Sequence, residues 1–253
     1  MDARLDGCAG IVTGASRGIG AAIAREILSA GAAGVVITGR RPEPLRTLAA
    51  ELGSRVVALP GNVREEGHAA EAVGVAIEHF GSCGFLVNNA GTNPSGGPIM
   101  DVDMAAVDAT WAVNQRAPLV WSRAAWHGWM KEHGGSIVSI GSVGGLVPAH
   151  MLGAYNVSKA ALHHLTRQLA LELAPGVRVN AIAAAVVRTR LSEALWASDP
   201  ESAAKAHPLA RLGDPEDVAR ATVFLLSEAA GWISGVVLPV DGGLSGAGGT
   251  LAS

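Results

Sequence analysis

Short apolar and β-branched runs alternate along the chain with longer segments whose apolar positions recur at helical spacing. The runs Cys8–Thr13, Gly34–Thr38, Val56–Leu59, Phe85–Asn88, Ser136–Ile140, Val177–Ala183 and Val236–Val240 predict seven strands. Between the first two, Ile23, Ile27 and Ala30 fall at helical spacing within Ile19–Ala30. Further helices are predicted at Pro44–Leu52, Glu66–Phe80, Met104–Glu132, Ala154–Leu173 and Pro215–Ser227. Strands alternating with helices predict an α/β fold, with a doubly wound parallel seven-stranded sheet and helices on both faces. No long linker, low-complexity segment or solenoid-like repeat divides the chain, so residues 1–253 read as one domain. The Gly-rich tail, 245–253, is expected to be loose.

Composition narrows the class of partner. The 253 residues suffice for one large core, and 49% hydrophobic with 16% charged residues argues against disorder. A net charge of -3 gives no electrostatic reason to expect nucleic acid or an anionic membrane. The first residues, MDARLDG, lack a basic stretch followed by an apolar one, so no secretory signal is expected. The stretch 134–158 carries no Asp, Glu, Lys or Arg, yet it is full of Gly, Ser, Asn and His, which argues against a membrane span. Cys8 and Cys83 are too few for a disulfide framework and are expected to be reduced, partly buried thiols of a cytoplasmic protein. Neither has CxxC spacing or a His/Cys cluster beside it, so no metal site is expected.

Chemistry first shows where the first strand turns into the first helix. Thr13-Gly14-Ala15-Ser16-Arg17-Gly18-Ile19-Gly20 joins them. Glycine lets a phosphate approach the backbone, and the helix start offers unpaired N–H groups and a positive dipole end. Gly14, Ser16, Arg17, Gly18, Ile19 and Gly20 are therefore candidate dinucleotide contacts; the competing reading is a plain tight βα turn. The second strand ends in Gly39-Arg40-Arg41, with no carboxylate before Glu43. A carboxylate there would bind ribose hydroxyls and select NAD, whereas a guanidinium accommodates a 2′-phosphate. Arg40 and Arg41, with Arg17, therefore point to NADP(H); the alternative is a pair of solvated loop charges.

Tyr155 and Lys159 are four residues apart at the start of an apolar helix, so phenol and ammonium share one face. A nearby cation favours the phenolate, and the phenol can then shuttle a proton to or from a substrate oxygen. Ser142 follows the Ser136–Ile140 strand at the end where open α/β sheets bind ligands. Together with Asn88–Gly91 (NNAG), Asn114, Tyr155–Lys159 (YNVSK), Val179–Ile182 and Val240–Gly243, these motifs resemble the short-chain dehydrogenase/reductase family over nearly the whole chain.

The resemblance implies a Rossmann fold and a role for each matching position. Tyr155 is expected to be the acid/base, and Lys159 to bind the nicotinamide ribose and lower the phenol's pKa. Ser142 is expected to bond the substrate oxygen, and Asn114 to hold a relay water. Asn88 and Asn89, Ala90 and Gly91 are expected to brace the sheet and pass beside the cofactor. Asn62-Val63 stands where the family has Asp-Val at the adenine. Val187 and Thr189 occupy carboxamide-binding positions. Ala184-Ala185 replaces the usual Pro-Gly, which raises the question of strain should positive φ be needed there.

The stretch 190–212 is expected to be a flap over a nonpolar carbonyl substrate, with Leu195, Trp196 and, from the preceding loop, His150 as candidate contacts. The Ser192–Trp196 run resembles the NADP-dependent carbonyl reductase branch, and the general pattern equally resembles 3-oxoacyl-[acyl-carrier-protein] reductases. His163 and His164 are expected on the helix surface or at an interface. Trp111, Trp121, Trp126 and Trp129 read as core or subunit contacts, and the resemblance implies a homotetramer. The expected activity is hydride transfer between NADP(H) and a carbonyl or secondary alcohol. The alternative is a dinucleotide sensor or scaffold without catalysis.

Overall fold

In the computed structural model, which describes residues 3–247, the seven runs form one parallel sheet. The strands are β1 (Ala9–Val12), β2 (Gly34–Gly39), β3 (Val56–Pro60), β4 (Phe85–Asn88), β5 (Gly135–Ile140), β6 (Val177–Ala184) and β7 (Val237–Val240). Their spatial order is β3-β2-β1-β4-β5-β6-β7. The chain winds outward from β1 to β3, crosses back, and winds the other way from β4. A crevice therefore opens at the carboxyl ends of β1 and β4, where such sheets bind ligands.

Alternate side chains enter opposite layers because the pleat has period two. Val12, Val35, Ile37 and Val138 pack with α1 (Gly18–Ser29), α2 (Pro42–Leu52) and, later in the chain, Pro215–Leu226. Ile11, Val36, Leu86 and Ile137 pack on the other face with α3 (Glu66–Phe80) and the helices that follow β4. The start of α2 at Pro42, rather than Pro44, follows from proline's tolerance of the first helical turn.

The helix predicted over Met104–Glu132 is interrupted. It consists of α4 (Met104–Trp111), a π turn (Ala112–Arg116), α5 (Ala117–Ala125), a second π turn (Trp126–Met130) and α6 (Lys131–His133). Pro118 explains the first interruption: it has no N–H for the carbonyl four residues back, and its ring crowds that carbonyl. The backbone widens instead, and the Ala117 N–H donates to the Ala112 carbonyl. The remaining helices are α7 (Gly153–Glu172), α8 (Pro200–Lys205) and α9 (Pro215–Leu226). A reciprocal capping box between Asp214 and Asp217 starts α9. No helix among the described residues is long and apolar enough to cross a membrane. Ser245 N–H donates to Asp241 at 2.9 Å; most of the tail expected to be loose, 248–253, lies outside the described residues.

Candidate active site

The turn after β1 is shaped to hold phosphate. Gly14 and Gly18 have φ of +66° and +55°, a region that side chains disfavour. A Cβ on Gly20 would lie 2.4 Å from Asn89 Nδ2 and 2.7 Å from the Gly14 carbonyl, so only glycine fits. The first turn of α1 carries no side-chain cap and no acidic residue. Its N–H groups therefore face the crevice unpaired, as an anion site requires. Behind the turn, Thr13 Oγ1 accepts from the Asn89 and Ala90 N–H groups at 3.0 and 3.1 Å and donates to the Val87 carbonyl at 3.2 Å. Asn89 Nδ2 returns bonds to the Thr13 and Gly14 carbonyls at 2.8 and 3.1 Å. The Thr13 hydroxyl thus bonds β4 to the glycine turn.

A cleft of about 460 Å3 runs from this turn to α7. Gly14, Ser16, Arg17, Gly18, Ile19 and Gly20 line one end, with Arg40, Asn62 and Val63. Asn89, Ala90, Gly91, Val187 and Thr189 line its middle, and Ser142, Tyr155, Lys159 and Leu195 the other end. Arg41, His150 and Trp196 stand outside the lining. Arg41 precedes α2, His150 is exposed, and Trp196 has a buried indole N–H without a partner. Leu191 of the expected flap also lines the cleft, and Arg64, Thr92, Leu152 and Arg190 line it without having been singled out in the sequence. Asn62 Oδ1 accepts from the Arg64 backbone and guanidinium at 3.2 and 3.4 Å, so its amide N–H2 is the group left to offer an adenine.

The cleft's charge is one-sided. Arg17, Arg40, Arg64, Arg190 and Lys159 line it, and no Asp or Glu does. Among the described residues, no carboxylate pairs with Arg17 or Arg40. The residues therefore fit a polyanionic dinucleotide, on the glycine cradle, the uncapped helix start and the free cations together.

At the far end, α7 presents Tyr155 and Lys159 to one space, with Lys159 Nζ 5.7 Å from the phenol ring centroid. Lys159 is buried and donates to the Ile140 carbonyl at 2.8 Å. Burial pushes its pKa down to about 8. Burial also pushes the Tyr155 phenol up to about 12, with hydrogen bonding to the Ser142 side chain pulling the other way. Desolvation is the larger influence on the phenol, and the hydrogen bond that opposes it comes from Ser142 and not from Lys159. Ser142 opens a 3-10 turn (Val143–Gly145), and its Oγ accepts from the Gly144 N–H at 3.2 Å.

Asn114 lies in the π turn and is fully buried. Its side chain accepts from the Thr92 N–H and donates to the Thr92 carbonyl, both at 2.9 Å, and donates to Ser158 Oγ at 3.0 Å. Ser158 Oγ in turn donates to the Tyr155 carbonyl at 2.7 Å. Asn114 therefore ties the loop after β4 to α7. Ala185 needs no positive φ: non-glycine residues with positive φ are Met151 and Ala210 among the described residues. The Thr189 methyl lies 3.3 Å from where a Gly18 Cβ would be, so this loop closes over the phosphate turn.

His163 departs from the expected surface position, whereas His164 and Trp121 lie where the sequence predicts them. His164 is exposed, but His163 is 2% exposed and packs beneath the Ser142 turn. A Cβ on Gly141 would lie 2.2 Å from its Nε2, and one on Gly145 2.7 Å from its Cε1. Burial, reinforced by the Lys159 charge, holds the imidazole near 4, and neither ring nitrogen has a partner of good geometry. Trp121 is core, and its indole N–H donates to the Val63 carbonyl at 3.0 Å behind the cleft. Cys83 is fully buried while Cys8 is exposed, in place of two partly buried thiols.

The family model described as enoyl-(acyl carrier protein) reductase matches residues 14–245. Dehydrogenase/reductase SDR family member 4 of Homo sapiens is 37% identical over 239 residues, covering 92% of this chain and 86% of its own. The 2-(S)-hydroxypropyl-CoM dehydrogenase 3 of Xanthobacter autotrophicus is 37% identical over 243 residues, covering 92% and 95%. Among solved structures, a short-chain type dehydrogenase/reductase from Mycobacterium ulcerans superposes with a TM-score of 0.90 at 34% identity, over 95% of this chain and 90% of its own. These relatives share the sheet and nearly the full length, and the chain belongs to the short-chain dehydrogenase/reductase family of nicotinamide-dependent oxidoreductases.

Proposed function

We propose that the protein interconverts a ketone and a secondary alcohol using NADP(H). One observation carries the reading: Ser142, Tyr155 and Lys159 share a cleft with the unpaired Arg17 and Arg40, and no carboxylate lines it. Arg17 and Arg40 would hold the 2′-phosphate, the α1 turn the pyrophosphate, and Val187 and Thr189 the carboxamide. The nicotinamide, when bound, supplies or accepts the hydride. In reduction, Tyr155 gives its phenolic proton to the carbonyl oxygen, and Ser142 donates a hydrogen bond to that same oxygen. Lys159 holds positive charge beside the phenol, favouring the phenolate left behind. Asn114 and Ser158 keep Tyr155 in register with the loop after β4.

The name of the Xanthobacter relative specifies a 2-hydroxypropyl group, a secondary alcohol, in keeping with this reaction class. The half-buried Trp111 and Trp126 on the helices after β4 favour a homotetramer, which sedimentation would test. Tyr155→Phe removes the proton donor and leaves the cleft's shape. Turnover with NADPH and a ketone panel should fall by about 100-fold or more while NADPH binding changes little. Near-normal turnover in that variant would overturn the mechanism.

A further inference from the structure

The cleft's substrate end continues onto an exposed apolar surface. Leu191 and Leu195 line the cleft and are also 54% and 42% exposed, so one apolar wall runs from inside to outside. Opposite them Leu152 lines the throat, while its neighbour Met151 is 57% exposed. Ile99 and Met100, in the loop after β4, extend that side; Ile99 packs where a Gly153 Cβ would be, and Met100 is 89% exposed.

Two features show a built rim and not a stray patch. Gly97 N–H donates to the Met151 carbonyl at 3.0 Å, and Gly97 bridges Leu152 as a parallel pair, so the loops 92–101 and 146–152 are joined. Met151 holds φ +65°, a strained value for a bulky residue. That turn separates Leu152 at the throat from Met151 on the surface. Strain of this kind persists where the surroundings over-determine it, and it clusters at ligand clamps.

Resting on the proposed ketone chemistry, we infer that the substrates are carbonyl compounds with an extended, flexible apolar tail, which lies along this rim between Met100/Met151 and Leu191/Leu195. The occupant follows from continuity: Leu152, Leu191 and Leu195 line the same cleft as Tyr155 and Ser142, where the carbonyl must sit, no carboxylate lines that cleft, and the apolar side chains continue to its exposed edge. Thioether side chains are flexible and polarisable, so the rim suits tails of varied shape over one rigid ring.

The test uses 2-alkanones from butanone to dodecanone on the full-length protein, with NADPH turnover and, separately, ketone binding by calorimetry. Turnover efficiency and affinity should each rise about two- to fourfold per methylene until the tail passes the rim. Met100→Gln combined with Met151→Asn removes the apolar rim, and Asn tolerates the positive φ at 151. This variant should flatten the chain-length slope at least threefold between octanone and dodecanone without lowering Tm, with butanone, too short to reach the rim, as the internal reference. A flat series in the wild type, or the same slope in the variant, overturns the inference. If the variant instead changes the oligomer's mass while keeping the slope, the rim is a contact between copies and the inference fails. If no ketone is reduced but binding still follows tail length and the variant abolishes that trend, the ketone-reductase reading fails and the rim stands.

Discussion

Arg40 provides the sharpest test of cofactor choice. It follows Gly39 at the end of β2, lines the cleft and has no carboxylate partner among the described residues. A hydrogen bond to a charged group contributes about 1.5–3 kcal/mol when shielded. Arg40 is exposed, so solvent screening reduces its share to about 1–2 kcal/mol. Each 1.36 kcal/mol is about tenfold in rate, so Arg40→Ala should lower kcat/KM for NADPH about 5- to 30-fold. NADH has no 2′-phosphate, and its kcat/KM should change by less than about twofold, since the backbone cradle remains intact. Arg40→Asp adds repulsion and should lower NADPH use further still. Raising ionic strength from 0.1 M to 1 M shortens the screening length from about 10 Å to about 3 Å, so the wild-type preference for NADPH should shrink with salt. Initial-rate kinetics with both cofactors, at two salt concentrations, give every quantity needed. Equal losses with NADPH and NADH in Arg40→Ala, or a wild type that prefers NADH, would refute the assignment.

Three other perturbations probe the support around the site. Thr13→Val leaves the Ala90 N–H without its acceptor, while the Asn89 N–H keeps the Val87 carbonyl at 3.1 Å, at a cost of about 1–3 kcal/mol. Calorimetry should show Tm lower by roughly 5 °C; a change under about 2 °C would mean the Ala90 N–H finds another partner. His163→Leu removes two buried ring nitrogens that lack a partner of good geometry and keeps an apolar side chain under Gly141, so stability should rise by about 1 kcal/mol, and Tm with it. A fall of similar size would show that ordered water satisfies the ring. Lys159 binds its proton less tightly folded than unfolded, with its pKa lowered from 10.5 to about 8. The unfolded chain therefore binds more protons as pH climbs past 8, and Lys159's contribution to stability rises there. The urea midpoint of the wild type minus that of Lys159→Met should grow between about pH 8 and 9. The raised Cys83 thiol acts in the opposite direction above 9, but it is present in both proteins and cancels in the difference. A flat difference would place the lysine's pKa near its ordinary value.

The elements were legible because their causes are local. Apolar runs of four to eight residues mark β1 to β7, and the Gly14–Gly20 turn marks the junction of β1 and α1 by composition and position. Pro118 was equally visible, but its effect on the long helix required knowing that the helix continues across it. The contacts were not legible, because they join distant parts of the chain. Asn89 reaches Thr13 across 76 residues, and Asn114 reaches Ser158 across 44. The sequence shows amides and hydroxyls in both places and cannot say which pair. His163 makes the limit clearest. Helical spacing puts it on the face of α7 that carries Lys159, four residues earlier. Whether that face meets solvent, a second subunit or the glycines after β5 depends on β5 lying beside β6, which brings Gly141 against the helix. Only then do Gly141 and Gly145 around Ser142 acquire their meaning: the turn that carries the Ser142 hydroxyl passes too close to an imidazole to tolerate a side chain at either position.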